Sequence, residues 1–167
     1  MAKKIDIASL PEIVGSMYPT PFHEPSLSRE RRALGDAAGL SQFGVNLLRL
    51  PPGAWSSQRH WHTKEDEFIL VLSGEVTLVT DAGPEILRAG DAAGFKAGDP
   101  DGHCLQNRSN EDATVLEIGT RIAGDVANYS DIDMRTVPEG SPPYVHRDGT
   151  PYPDHGRRAK KVPNPEA

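Results

Sequence analysis

His60-Trp61-His62-x4-Glu67 is the feature that most constrains what this chain can fold into. Successive side chains of a strand alternate faces, so two histidines two residues apart present both imidazoles to one side. The four residues after His62 allow a tight turn into a second strand, Glu67-Phe-Ile-Leu-Val-Leu72. If Glu67 faces the same way, two imidazoles and a carboxylate meet at one point, and His103 can bring another imidazole from later in the chain. Such nitrogen and oxygen donors suit Zn, Fe, Mn, Ni or Co rather than a thiolate-bound metal. The rest of the sequence reads as a container for that point.

The container is written in short apolar runs with Gly and Pro between them. Strands are expected over residues 43–50, 55–62, 67–72, 75–80, 84–87, 92–95, 103–107 and 113–120. Pro51-Pro52-Gly53, Ser73-Gly74 and Asp81-Ala82-Gly83 supply the turns. With no helical period between them, these strands predict an all-β fold, a closed or sandwiched antiparallel barrel. At 167 residues the chain fits one domain: an N-terminal arm or edge segment (1–40), a barrel (41–129) and a Pro-rich C-terminal extension (130–167). Within the arm, 29–40 is compatible with a helix or with strand, turn and strand. The basic run Arg157–Lys161 reads as a solvated tail.

Charge and cysteine content narrow the partners. Eighteen Lys and Arg stand against 24 Asp and Glu, a net charge of −6, which argues against a nucleic acid or an anionic membrane as partner. The single cysteine, Cys104, precludes an internal disulfide, so a reducing cytoplasm is the expected compartment. No apolar run approaches a membrane span and no signal-peptide pattern is visible.

Gly53…His60-x-His62-x4-Glu67-x6-Gly74 resembles the first conserved motif of the cupin superfamily, and Gly90-x7-Gly98-x4-His103-x3-Asn107 resembles the second. Directly matched positions span about a third of the chain. Gly53 lies one residue further from His60 than is usual, Lys96 stands where proline is common, and Gly98–Gly102 holds two extra residues. These departures concern loop geometry. The resemblance implies a jelly-roll barrel (a double-stranded β-helix) with irregular extensions at both ends. It also implies one divalent metal ion per chain inside the barrel, with His60, His62, Glu67 and His103 as ligands. On an octahedral ion, four protein ligands leave two positions for water or substrate.

Strand parity ranks the neighbours. Gln58 shares a face with the two histidines and is expected to line the cavity; Ile69 and Val71 share the Glu67 face and make the floor apolar. Trp61 and Cys104 face away. Arg49 and Lys96 are candidates at the barrel mouth for a substrate phosphate or carboxylate. His23, His146 and His155 read as surface residues, although Tyr144, His146 and Tyr152 could also form a lid.

Single-domain cupins resembling this one are often associated with sugar-phosphate isomerases, and that is the leading expectation: a metal-dependent enzyme acting on a small oxygen-rich substrate. Its general base would be Glu65, whose parity matches Glu67, or His146. An Fe(II)-dependent dioxygenase and a non-catalytic small-ligand-binding cupin are the alternatives. A homodimer is expected, since such barrels commonly pair.

Overall fold

Alternation at Phe43–Leu50 and Ala113–Thr120 sets the central pair of strands. In the computed structural model, which describes residues 4–138 and 143–154 and the backbone of 160–162, those spans form as read. In chain order the elements are β1 (Glu12–Val14), β2 (Glu30–Ala33), the one-turn helix α1 (Leu34–Ala37), β3 (Phe43–Leu50), β4 (His60–His62), β5 (Glu67–Ser73), β6 (Glu75–Thr80) and β7 (Gly83–Arg88). Then follow β8 (Ala92–Phe95), β9 (Cys104–Gln106), β10 (Ala113–Thr120), β11 (Ala127–Tyr129), β12 (Arg135–Thr136), β13 (Tyr144–Val145) and β14 (Lys160–Val162).

All the ladders are antiparallel. One sheet runs β14-β1-β2-β3-β10-β5-β8, a second β13-β12-β11-β4, and a third β7-β6-β9. A bridge between His60 and His103 ties the second sheet to the loop that enters the third. The result is an all-β barrel of the jelly-roll kind.

The core lies where the inward faces of β3, β5 and β10 meet. Leu48 opposes Val115, which opposes Val71, and all three are at most 1% exposed. Burying each side chain of this size contributes about 1.5–3 kcal/mol. The β5–β6 hairpin turns at Gly74, whose φ is +72°; a Cβ there would sit 2.5 Å from the Asp112 carbonyl oxygen, so glycine is required.

Both flanks are built into the sheets. The ambiguous 29–40 stretch is a strand followed by one helical turn, and β2 pairs along β3. Residues beyond 129 add β12 and β13 to the sheet that holds β4. Tyr18, Ala127, Tyr129, Met134 and Tyr152 form a second buried cluster there. His155 and residues 157–159 of the basic run lie outside the described residues. Among the described residues, no helix is long and apolar enough to cross a membrane.

Candidate metal centre

Two reciprocal backbone bonds place the histidines. His60 N donates to His103 O at 3.1 Å and His103 N donates to His60 O at 2.9 Å, so both rings project from one bridge. The long loop before His103 is tied down by Gly98 N donating to His62 O at 2.8 Å. Arg59 adds a bidentate pair with Asp131 and reaches the Gly102 carbonyl. The extra residues are thus absorbed in the loop, and His103 reaches the point the two histidines face.

That point is Glu67 Oε2. It lies 3.0 Å from His103 Nε2, 3.6 Å from His62 Nε2 and 3.8 Å from His60 Nε2. The other ring nitrogens fix which tautomer is present. His60 Nδ1 lies 2.9 Å from the Gln58 carbonyl, which can only accept, so Nδ1 carries the proton and the Nε2 lone pair faces inward. His62 Nδ1 donates to Asp125 Oδ2 at 2.5 Å, an arrangement that raises the basicity of a metal-binding imidazole. Phe95 stacks flat on His103, with ring centroids 3.5 Å apart.

Glu67 Oε2 is buried without a hydrogen-bond partner among the described residues. The donor atoms of His60, His62 and Glu67 lie within 4.8 Å of one another, a set that fits a divalent cation, and the His103 nitrogen stands 3.0 Å from the same oxygen. Burial pushes the His60 imidazole down to about 4. Burial acts to raise Glu67, but the His103 nitrogen and the surrounding imidazoles outweigh it and hold the carboxyl at about 2. At neutral pH His60 and Glu67 are therefore in the form that binds metal, neutral imidazole and ionised carboxylate. His62, Glu65 and Asp125 form a second close group beside it.

A cavity of about 350 Å³ opens onto this group, and Tyr18, Glu65, Ile69, Glu117 and Tyr144 are among its walls. A second cavity, of about 260 Å³, approaches from the side of Trp61, Lys96 and Asp99. Glu65, Glu67, Phe95 and His103 line both. Trp61 thus borders a cavity, whereas strand parity had it packing on the outer sheet.

Three candidates sit elsewhere than expected. Gln58 lines neither cavity; Nε2 donates to the Phe22 carbonyl at 2.7 Å, and residues 56–59 are bends, so strand parity does not apply there. Arg49 is on the outer face, paired with Glu30 and Asp112. His146 lies against Asp133 and Tyr152, away from both cavities, because β13 carries it past the second cluster. Of the lid residues, Tyr144 lines the larger cavity and Tyr152 is buried beside Phe22. Cys104 is buried facing away, its thiol pushed up to about 11 by burial.

Sequence reading missed Asp125, Arg29 and Arg31. Asp125 is 63 positions from His62, and local periodicity cannot foresee so distant a contact. The two arginines line the larger cavity from the first flank.

A family model described as the cupin domain matches residues 46–119. No curated protein matches the chain. Among solved structures, a sugar phosphate isomerase of the cupin superfamily from Silicibacter pomeroyi is 43% identical over 92% of this chain and 100% of its own, with a TM-score of 0.84. A protein from Acidithiobacillus ferrooxidans, provisionally named a sugar phosphate isomerase, is 33% identical over 66% of this chain and 70% of its own, with a TM-score of 0.63. The polyketide cyclase RemF from Streptomyces resistomycificus shares the fold at 20% identity, covering 72% of this chain and 80% of its own with a TM-score of 0.57.

Proposed function

We propose, on the premise that this chain belongs to the cupin superfamily, that it is a metal-dependent isomerase of a phosphorylated sugar. The observation that carries this reading is the convergence of three Nε2 atoms on Glu67 Oε2 at 3.0–3.8 Å. The name of the Silicibacter pomeroyi relative supports the substrate class. His60, His62, Glu67 and His103 would hold a divalent cation, which when bound polarises adjacent oxygens of a substrate.

Glu65 is the base in this reading. Its carboxyl lines both cavities, one oxygen accepts from Ile122 N at 2.8 Å, and the other lies 3.9 Å from His62 Nδ1. Burial, with Asp125 and Glu67 adding to it, pushes its pKa above the usual carboxylate value. A carboxylate shifted towards the working pH is the better proton acceptor. Glu65 would take the proton from the carbon beside the substrate carbonyl and return it to the neighbouring carbon. Ile69, Phe95 and Leu105 on the same cavity wall limit the water that could intercept it.

Proton NMR of aldose and ketose phosphates in D2O tests this. Interconversion with deuterium entering at the carbon that exchanges its proton is the expected result. Glu65→Gln should lower kcat by about 10²–10⁴-fold with metal content unchanged. Substrate-dependent oxygen uptake by the Fe(II)-loaded protein, without isomerisation, would replace this reading with the dioxygenase one. The same reading sets the protein in a reducing cytoplasm, in keeping with its lone buried thiol, and pairs two chains. Light scattering at the single-chain mass of 18.1 kDa would reject the pairing.

A further inference from the structure

Arg29 and Arg31 are two apart, and both line the cavity that holds the imidazoles. The alternate positions turn outward: Glu30 pairs with Arg49, and Arg32 pairs with Glu12. One segment therefore directs two guanidinium groups inward. Only one of them is neutralised. Arg31 pairs with Glu117, its Nε 2.7 Å from Oε2 and its Nη2 2.8 Å from Oε1.

Arg29 has a different set of partners. Its Nε donates to the Gly15 carbonyl at 2.9 Å and its Nη1 to the Ser56 carbonyl. Both acceptors are neutral, and among the described residues no carboxylate pairs with it. Burial, and after it the charge of Arg31, push this guanidinium below its ordinary pKa, yet an arginine stays charged. A half-buried cation fixed by carbonyls and lacking a counter-charge is costly unless an anion joins it.

Of the other charges on this cavity wall, Glu65 accepts from Ile122 N and lies on the His62 side. Glu117 answers Arg31, Asp36 answers Arg121, and Glu67 sits among the imidazoles. Arg29 is left as the positive charge facing the space, and Ser57, Tyr18 and Tyr144 add hydroxyl groups to the same walls. β3 and β10 line the same cavity with Gly44, Asn46, Glu117 and Gly119.

We propose that Arg29, supported by Arg31, binds the phosphate of the substrate in the cavity onto which the imidazole cluster opens. The forked guanidinium matches two oxygens of a tetrahedral phosphomonoester, and its unneutralised charge selects a dianion over a neutral sugar. The identity of the substrate as a sugar phosphate rests on the isomerase reading; the anion site rests on Arg29 itself.

Inorganic phosphate is the probe, titrated calorimetrically into the purified protein at neutral pH and physiological salt. One phosphate per chain is expected, with Arg29→Met weakening binding at least tenfold and His62→Ala changing it less than threefold. Acetate should bind at least tenfold more weakly than phosphate. Because Arg29→Met also removes two backbone contacts, the wild-type protein supplies a second measurement. Phosphate should slow modification of Arg29 by phenylglyoxal at least threefold, read by mass spectrometry of the peptide. No saturable phosphate, equal binding of acetate, absence of protection, or loss of phosphate in His62→Ala alongside retention in Arg29→Met would each overturn the proposal. Arg29-dependent phosphate binding without any sugar-phosphate interconversion would sink the isomerase reading and leave this one standing.

Discussion

Residues 46–119 carry His60, His62, Glu67 and His103, whereas Tyr18, Arg29 and Arg31 precede them and Asp125, Tyr129 and Tyr144 follow. The two groups do different work on one cavity. The barrel strands deliver four donor atoms to a point. The flanks orient those donors and set the charge and shape of the remaining space: Asp125 binds the His62 ring, Tyr129 stacks on His60 with centroids 5.7 Å apart, and Tyr18 and Tyr144 wall the larger cavity. Related barrels can therefore share donor geometry while differing in cavity shape, because Tyr18, Arg29 and Tyr144 of the wall lie outside the matched region.

The largest expected effect lies on the barrel side. His62→Ala should abolish stoichiometric metal by elemental analysis and lower kcat/KM by at least about 10³-fold, several kcal/mol of lost electrostatic stabilisation. Wild-type metal content in that variant would remove the donor set from the barrel altogether.

Acid should expose the same group next. In the metal-free protein the folded pKa of His60 is depressed to about 4 from 6.5, so the unfolded chain binds more protons between those values. Stability is then lost as pH falls through that window, by up to about 3 kcal/mol. Glu67, depressed to about 2 from 4.5, extends the loss to lower pH in the same direction. Thermal melts of the apo protein at pH 7, 5.5 and 4.5 check this; a flat midpoint would mean that the His60 imidazole is not desolvated.

Asp125→Asn probes whether a flank reaches into the donor set. It should weaken metal binding about 10–100-fold while leaving the fold intact, measured by competition with a chelator. An unchanged affinity would confine the flanks to shaping the cavity. The smallest effect is expected at Arg49, the arginine on the outer face. Arg49→Met should change stability by about 0–1 kcal/mol and leave kcat/KM within twofold, because its partners Glu30 and Asp112 form an exposed network. A tenfold loss of activity there would reverse the contrast with Arg29.

Where the sequence carried a period, it was legible. β3, β6, β8 and β10 begin and end at the residues expected, because alternation and turn glycines are local signals. The His60, His62 and Glu67 convergence was equally readable, since a period of two on neighbouring strands fixes direction. The approach to β4 was not. Residues 56–59 are bent rather than extended, held by contacts from remote segments: Arg29 to the Ser56 carbonyl, Gln58 to the Phe22 carbonyl and Arg59 to Asp131. No pattern within 55–62 encodes those partners, so Gln58 could not be placed. Arg49 and Arg29 look alike in sequence, and only the pairing of β2 with β3 decides which of them reaches the interior.

That pairing has a consequence for folding fidelity. Along 29–32 the inward and outward positions carry different charges, with Arg29 and Arg31 on one face and Glu30 and Arg32 on the other. A slip of one residue against β3 would exchange the faces. Glu30 would then point at Glu117 and Glu67, and Glu12 would lose its arginine. A misregistered chain would thus set Glu30 against like charge, and this placement of the one carboxylate acts as an electrostatic proofreading step for the alignment of the strand.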